Sequence, residues 1–550
     1  MNQEWIIDSL ITQWKTYAAQ KGIKWGRSFL QWSLPSGVKA DFALRLAMPI
    51  AFKTKSPVKK IAQQILSLSK SNDLLQGKIT PQGYINFRLS DEYYYRFIKK
   101  IIAQRKKLSI KKTVLIEHTS VNPTGQLHLG NARIAVIGDT LANVYQFLGF
   151  QVIREYYIND RGQQINSLVN SVYYSYCSFY DYHYSFPEKD LEYQTPIIKK
   201  AARLLSKKYK NALLKENLDQ ELFEILKKEI LEFLLTKIKK DLKNCKVVFD
   251  NWVSEAELCK NDNLTQLVQT LSSKNLTYFQ EGALFLKTTQ IGDNKDRVLI
   301  KKNSDYTYLL PDILYHLNKL CRANTLINVF GADHHGHISG VKTALQLHSG
   351  SNSIDNRIKI VLVQMLSLLT AEGKSQKFSK RLGTAINLDE ALKWWGKDWL
   401  RFTLLSKSPD THLEINEEAF RTNQKNQLYY LQYAYARCCQ LLNKAQEKKI
   451  NLNSKNHTSS WNEAERNILK NLLRFSFVLQ TIIEENEPHY LIHYLTDLAQ
   501  GFQTYYQKGE IIIDESKPLK TRQRILLVQG VKKVLKIGLN LAGITAPKRM

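Results

Sequence analysis

A strand, a helix and a second strand follow one another in the first third of the chain, and this unit restricts the fold more than any other segment. Thr113–His118 is a short run rich in β-branched and apolar residues. From His128 to Phe147 apolar residues recur at helical spacing, and Gly149 follows as a stop before a second β-rich run, Gln151–Ile158. A unit of this length predicts a parallel α/β sheet, because parallel strands need a long crossover.

The flanking regions differ in pattern from this unit. Residues 1–108 predict a separate small α/β domain, whose last strand is the alternating segment at 84–90. Residues 109–409 predict the parallel-sheet domain, interrupted by a Lys-rich helical insertion around 165–300. Residues 410–550 predict an all-helical domain. Within the second region, Asn387 and Glu390 have the spacing of a capping box and predict the start of a helix.

The charge balance favours a polyanionic partner. Lys and Arg number 79 against 50 Asp and Glu, a formal excess of +29 in 550 residues. Nucleic acid is the first candidate for such a partner, although a Lys-rich background composition explains the same excess. No apolar run approaches the ~20 residues of a membrane span. The 6 cysteines include no C-x-x-C pair, so a soluble cytoplasmic protein is expected rather than a zinc ribbon or a disulfide framework.

The segment S-V-N-P-T-G-Q-L-H-L-G-N, from Ser120 to Asn131, joins the first strand to the helix. A helix N-terminus attracts anions through its free N–H groups and its dipole. His128 and Asn131 share one face of the first turn, and both can donate to phosphate oxygens. Gly130 leaves room for a flat ring against the backbone. The segment predicts a phosphate site, although a lone histidine at a helix start is more often a capping residue.

The whole dodecamer resembles the HIGH motif of class I aminoacyl-tRNA synthetases, in the form found in the arginyl-tRNA synthetase family. The resemblance implies a Rossmann-like catalytic domain that attaches L-arginine to tRNA(Arg) through an arginyl-adenylate, releasing AMP and pyrophosphate. His128 and Asn131 are then expected to hold the ATP phosphates in the transition state. Asn131 stands where histidine is commoner, and it keeps a donor but not a charge. ATP is expected to arrive with Mg²⁺, without a protein-bound metal.

A second motif, K-F-S-K-R at 377–381, follows a buried strand and lies between two glycines that let a loop move. Its lysines can neutralise a leaving pyrophosphate. It resembles the KMSKS motif of the same synthetases, with Phe378 in place of methionine. The resemblance implies catalytic roles for His128, Asn131, Lys377 and Lys380. The implied ATP contacts are Gly125, His128, Gly130, Asn131, Lys377, Phe378, Ser379 and Lys380.

A pocket for arginine needs carboxylates that bind a planar cation bidentately. Glu117 ends the first strand, and Tyr308 precedes Asp312 by four residues. On the residues alone, pairing of Glu117 with a lysine and burial of Tyr308 are equally good interpretations. The family resemblance implies that Glu117 and Asp312 bind the guanidinium, that Asn122 and Tyr308 orient it, and that His334 borders the amino acid. The histidines of G-A-D-H-H-G-H, at 331–337, otherwise fit a zinc site.

The helical region contains an aromatic-rich segment at 426–437 that resembles a helix of the family's anticodon-binding domain. Rings at such spacing are usually core, yet unpaired bases are read by stacking. The implied tRNA contacts are Asn86, Phe87, Tyr430, Tyr433, Arg437 and Met550. The expected partners are tRNA(Arg), ATP and L-arginine, with no membrane and a monomer as the default. The alternatives are another class I synthetase, a non-catalytic tRNA-binding protein descended from a synthetase, and a nonspecific nucleic-acid binder.

Overall fold

The structure is a computed structural model. It describes residues 6–32, 38–69, 75–103, 109–184, 193, 195–216, 218–260, 262–332, 335–350, 354–369, 375–377, 386–416, 427–450, 460–507 and 512–550. No helix among these residues is both long enough and apolar enough to cross a membrane.

The N-terminal region packs helices against an antiparallel sheet whose described strands run in the order β1-β2-β4-β3. Its buried face brings together the rings of Trp14, Phe42 and Phe87, and the last two stack with centroids 5.1 Å apart. The predicted final strand is confirmed as β4. The elements are α1 (Ile6–Gln20), β1 (Leu30–Gln31), β2 (Phe42–Leu44), α2 (Ala47–Thr54), α3 (Val58–Leu68), β3 (Leu75–Ile79), β4 (Ile85–Leu89) and α4 (Asp91–Ala103).

The central region confirms the predicted parallel sheet. Its described strands are all parallel and run in the order β12-β11-β5-β6-β7. The chain order therefore reverses between β5 and β11, and ligands of such sheets bind beyond the strand ends at this reversal. The elements are β5 (Ile110–His118), α5 (Leu129–Phe147), β6 (Phe150–Ile158), α6 (Gln163–Cys177), α7 (Pro196–Tyr209), α8 (Gln220–Asn244), β7 (Asn251–Ser254), α9 (Glu255–Leu258), α10 (Asn263–Ser273), β8 (Thr277–Gln280), β9 (Ala283–Leu286), β10 (Arg297–Ile300), α11 (Leu309–Arg322), β11 (Thr325–Gly331), α12 (His335–Ser349), α13 (Ile354–Arg357) and β12 (Ile358–Val363).

The prediction of a helical insertion around 165–300 is wrong in its second half. Only α6, α7 and α8 form a helical unit, with a hydrophobic core of their own. After them β7 joins the central sheet, and β8, β9 and β10 form a small antiparallel sheet. These strands have four residues each, which is too short for period-two alternation to be told from a helical pattern.

The remaining elements link the sheet to the helical region. The prediction that residues 410–550 are all helical is wrong at β15, which pairs in parallel with β13. The capping box predicted at the start of α14 is confirmed by Asn387 N, which donates to Glu390 Oε2 at 3.2 Å. The elements are β13 (Leu366–Leu369), β14 (Ser375–Lys377), α14 (Leu388–Leu404), β15 (Leu413–Asn416), α15 (Gln427–Glu447), α16 (Glu463–Glu485), α17 (His489–Gln507) and α18 (Pro518–Leu541).

Arg401, on α14, connects the segment after α18 to helix α5 of the central region. Its buried guanidinium donates to Asp139 Oδ2 on α5 at 2.6 Å and to the Ala542 carbonyl at 2.6 Å. Gly543 has a φ of +70°, and a Cβ there would lie 2.3 Å from the guanidinium of Arg401. The chain turns after α18 in a conformation that favours glycine, which leaves room for this ion pair.

Candidate active site

A cavity of about 880 Å³ lies where the strand order reverses. Its lining comes from the segments that follow the strands. Residues 119–122 follow β5, 157 and 159 lie at the end of β6, and 330–332 lie at the end of β11. The first turns of α5 and α11 close two further sides. The geometry is the ligand crevice of a doubly wound sheet.

The chain leaves β5 through a strained turn. Thr119 and Ser120 have φ values of +73° and +35°, a region that non-glycine residues rarely occupy. Ser120 is held there because its hydroxyl donates to Glu117 Oε1 at 2.9 Å and accepts from Tyr157 N at 3.1 Å. Beyond the turn the chain continues along the cavity, which residues 121, 122, 124 and 128 also line.

His128 and Asn131 cap α5 together. His128 Nδ1 accepts from Gly130 N at 3.1 Å and from Asn131 N at 3.4 Å, while Asn131 Oδ1 accepts from His128 N at 3.2 Å. Because Nδ1 accepts, the proton of the neutral ring lies on Nε2, where it can be donated. A Cβ at position 130 would lie 2.9 Å from the imidazole, so Gly130 leaves room for this geometry. All three residues line the cavity, whereas Gly125 lies in the preceding turn.

The segment after the second motif returns to the first. Leu129 N donates to the Ile386 carbonyl at 3.2 Å, and Leu388 N donates to the Leu127 carbonyl at 2.7 Å. Lys377 ends β14, and only its backbone is described. Phe378, Ser379 and Lys380 lie outside the described residues. The predicted roles of these four positions stay predictions.

Glu117 reaches the cavity with its charge already compensated. Lys319 is fully buried, and its Nζ lies 2.6 Å from Glu117 Oε2 and 2.9 Å from Asn328 Oδ1. This ion pair realises the alternative in which Glu117 pairs with a lysine. The predicted contact between Glu117 and the guanidinium of arginine stays a prediction. In such a contact arginine would share the carboxylate with Lys319.

The other predicted arginine contacts surround the cavity. Asp312 lies in the first turn of α11 and lines the cavity beside Tyr308. Tyr308 is 63% exposed, so the interpretation of this residue as core is wrong. Asn122 lines the same cavity and donates to Gln164 Oε1 at 2.6 Å. His334 lies outside the described residues.

Glu255 is a carboxylate of this cavity that the sequence analysis missed. It is the first residue of α9, directly after β7, and it is 5% exposed. Its recorded ion pair is a distant one, with Arg161 Nε at 3.9 Å. Burial, and to a smaller extent Asp312, raise the pKa of Glu255 to about 7, against the lowering effect of Arg161. The signal in the sequence was the short strand β7. Recognising it would have placed Glu255 at the edge of the sheet where ligands bind.

The residues predicted to contact tRNA differ in exposure. Phe87 is fully buried between Trp14 and Phe42, so its side chain is a core group, and the prediction that it contacts RNA is wrong. Asn86, next to it, lies on the opposite, outer face of β4. Tyr430 and Met550 are 47% and 49% exposed.

Arg437 is held between two tyrosines of the helical region. Its guanidinium lies over the rings of Tyr433 and Tyr506, 5.1 and 4.8 Å from the centroids. Its terminal nitrogens also donate to the hydroxyls of Tyr506 and Tyr433, so the two tyrosines fix the position of the guanidinium.

No group of three or more metal-ligating side chains occurs among the described residues. Asp333 and His334 of the histidine-rich segment lie outside that part of the chain.

Comparison with known proteins identifies the family. Three family models match: the arginyl tRNA synthetase N terminal domain at residues 30–89, the class I (R) tRNA synthetase catalytic domain at 97–402 and the DALR anticodon binding domain at 431–550. Arginine–tRNA ligases of Aquifex aeolicus and Staphylococcus aureus are each 36% identical to the chain over 93% of its length and 94% and 92% of theirs. The chain belongs to the arginyl-tRNA synthetase family. It is a class I enzyme that charges tRNA with arginine, and the relatives give no support to the non-catalytic alternative.

Solved structures agree with this family assignment. A putative arginyl-tRNA synthetase of Campylobacter jejuni matches 84% of the chain and 99% of its own length, with 31% identity and a TM-score of 0.73. The arginyl-tRNA synthetase of Thermus thermophilus covers 99% of both chains with a TM-score of 0.78, and at 20% identity it supports the fold alone. Enzymes of this class use ATP, so the predicted substrate is confirmed.

Proposed function

We propose that Asp312 and Glu255 bind the guanidinium of arginine in the cavity at the reversal of strand order. The observation that carries the proposal is a buried carboxylate at Glu255 whose pKa is raised to about 7. A buried carboxylate whose recorded ion pair is as long as 3.9 Å is only partly compensated, and a planar cation with five donors can complete the compensation. Asp312 lines the same cavity as Glu255, and in this proposal the two carboxylates bind one guanidinium.

Glu117 has a positioning role in this proposal. Its carboxylate is balanced by Lys319 and receives the hydroxyl of Ser120, which in turn holds the strained turn after β5. Asn122, at the end of that turn, and Tyr308, at the cavity mouth, orient the rest of the amino acid. Lysine fits this site poorly because a point charge on a flexible stem cannot engage two carboxylates through a planar fork.

His128 and Asn131 hold the ATP phosphates at the N-terminus of α5, where free N–H groups and the helix dipole add to their donors. The carboxylate of arginine attacks the α-phosphate, which gives arginyl-adenylate and pyrophosphate. Lys377 and Lys380 neutralise the leaving pyrophosphate together with the Mg²⁺ that accompanies ATP. The terminal ribose of tRNA(Arg) then takes the arginyl group and AMP leaves. No side chain need act as nucleophile, since positioning and charge neutralisation supply the rate.

The helical region binds the anticodon arm in this proposal. Tyr430 is exposed for stacking, while Tyr433 holds Arg437 in place for a base. Asn86 faces outward from the N-terminal sheet and supplies a contact there. In this proposal the enzyme works as a monomer in the cytoplasm.

The test is charging of tRNA(Arg) with arginine, lysine and citrulline by the purified enzyme and by His128→Ala and Glu255→Gln variants. Wild type is expected to charge arginine alone, because citrulline has the shape of arginine without its charge. His128→Ala is expected to lose activity with the KM for arginine little changed, whereas Glu255→Gln raises the KM for arginine. Equal KM values for arginine in wild type and Glu255→Gln would refute the proposed pocket.

A further inference from the structure

The helical insertion carries a charged surface that the arginine and ATP sites do not use. Helix α7 contains no acidic residue. Its buried side packs on α6 and α8 through apolar residues such as Ile198 and Ala202. At about 100° per residue, the exposed cations other than Lys208 fall within an arc of roughly 100° on the opposite side. The five members of this basic face are Lys199, Lys200, Arg203 and Lys207 on α7 and Lys210, the C-cap residue that follows the helix.

The charge of the basic face is not balanced locally. Within residues 195–216 and the other described segments, none of its five members forms an ion pair. Neighbouring lysines of the same insertion behave differently: Lys208 pairs with Glu229, Lys215 with Asp219 and Lys227 with Glu224. An ordinary solvated surface mixes both signs, as those pairs do. The basic face therefore projects an uncompensated positive field, whereas the charges of the paired lysines are cancelled by their acidic partners.

The basic face follows a cavity-lining residue closely in the chain. Gln164, on α6, and Tyr193 both line the cavity, and Tyr193 N is tied to α6 by donating to Ser171 Oγ at 3.3 Å. Lys199 follows Tyr193 by six residues, so their Cα atoms are at most about 22 Å apart. From Lys199 the cations recur roughly every 6 Å along the helix axis. They form a row along α7 that starts within about 22 Å of a cavity-lining residue.

We propose that the basic face of α7 binds the sugar–phosphate backbone near the acceptor end of tRNA(Arg) and guides the terminal ribose to the cavity. The inference rests on the proposed function, because only that reaction brings an RNA end to this cavity. A row of uncompensated cations fits a partner with regularly spaced phosphates, and release of the partner's counterions drives the binding. Contacts of this kind position the RNA without reading its sequence.

Two triple variants test the inference, and each removes three positive charges from the same insertion. The first is Lys199→Ala/Arg203→Ala/Lys207→Ala on the basic face. The second, the control, is Lys208→Ala/Lys215→Ala/Lys227→Ala at the paired lysines. For each variant, the Kd for tRNA(Arg) is measured between about 0.05 and 0.3 M salt, because phosphate contacts make the affinity depend on salt in this range. The KM for arginine and the KM for ATP are measured as well.

The basic-face variant is expected to bind tRNA(Arg) roughly 10- to 50-fold more weakly near 0.15 M salt, with a log–log salt slope less negative by about 2. Its KM for arginine and for ATP, and its melting temperature, should match those of wild type. A Lys199→Arg/Lys207→Arg variant should retain the affinity, because the charge is kept. The same loss should appear with a hairpin that contains only the acceptor stem and 3′ end.

Equal weakening by both triple variants would overturn the inference, because the effect would then be one of net charge. Unchanged affinity in the basic-face variant would also overturn it. A loss seen with tRNA(Arg) but absent with the hairpin would place the contact on another arm and refute the acceptor assignment. Failure of wild type to charge arginine would instead refute the proposed function, so the two are tested separately.

Discussion

The ends of β5 and β7 each place a buried carboxylate at the same cavity, and the two carboxylates differ in what balances them. Glu117, at the end of β5, is matched by the buried amine of Lys319 at 2.6 Å. Glu255, after β7, has Arg161 at 3.9 Å, and its pKa is raised to about 7. The difference separates structure from recognition: a carboxylate paired closely from within is needed to neutralise its buried partner, and one with only a distant cation is available to a cationic substrate.

The largest effect is expected at the balanced carboxylate, on stability. Glu117→Gln leaves the Lys319 ammonium buried without its counter-charge, which costs about 3–5 kcal/mol. Denaturant unfolding should show this loss. Glu117→Gln/Lys319→Met should recover most of it, because both charges are then removed. The double variant should also charge tRNA. Recovered stability without charging would mean that Glu117 contacts arginine itself, and the comparison would fail.

The next effect is expected at Asp312, on catalysis. Asp312→Asn keeps the shape of the side chain and removes the charge, so kcat/KM for arginine should fall about 10²- to 10³-fold. The KM for ATP serves as the internal control and should stay within about twofold, because the phosphates bind at α5. A kcat/KM for arginine that is unchanged would exclude Asp312 from the pocket.

Glu255→Gln should impair the use of arginine less than Asp312→Asn does. Its effect on stability should be opposite in sign to that of Glu117→Gln. The KM for arginine should rise roughly 10- to 100-fold. The pKa of Glu255 is higher in the folded enzyme than in the unfolded chain, so stability falls as the pH rises from the unfolded pKa to about 7, and the full loss is present at pH 8. Glu255→Gln should therefore be more stable than wild type by on the order of 1–3 kcal/mol at pH 8. The gain should vanish near pH 4, where both forms are neutral. A less stable variant at pH 8 would contradict the contrast with Glu117.

The smallest effect is expected in the pH dependence of arginine use. With a pKa of about 7, Glu255 is mostly protonated at pH 6 and mostly ionised at pH 8. The KM for arginine should thus be roughly tenfold higher at pH 6 than at pH 8 in wild type. Glu255→Gln should lack that part of the dependence. Parallel pH profiles for the two proteins would assign the titration to another group.

The sequence predicted those parts of the site that depend on local structure. The start of α5 at His128 and the capping box of Asn387 follow from short-range spacing, and both are observed. Glu255 was not predicted as a site residue because it follows the four-residue strand β7. The place of this strand in the sheet depends on its pairing with β6, which is a long-range contact. Phe87 was misassigned because alternation along β4 does not reveal which face is buried. The partner of Glu117 lies 202 positions away and has no local signal.

Proton release on arginine binding isolates the proposed role of Glu255. Arginine is titrated at pH 7 into the complex of the enzyme with tRNA(Arg), in two buffers of different ionisation enthalpy. Because a pKa of about 7 leaves the carboxyl half protonated, wild type should release about half a proton per arginine, and Glu255→Gln should release close to none. Equal proton release by the two proteins would contradict a guanidinium held by Glu255.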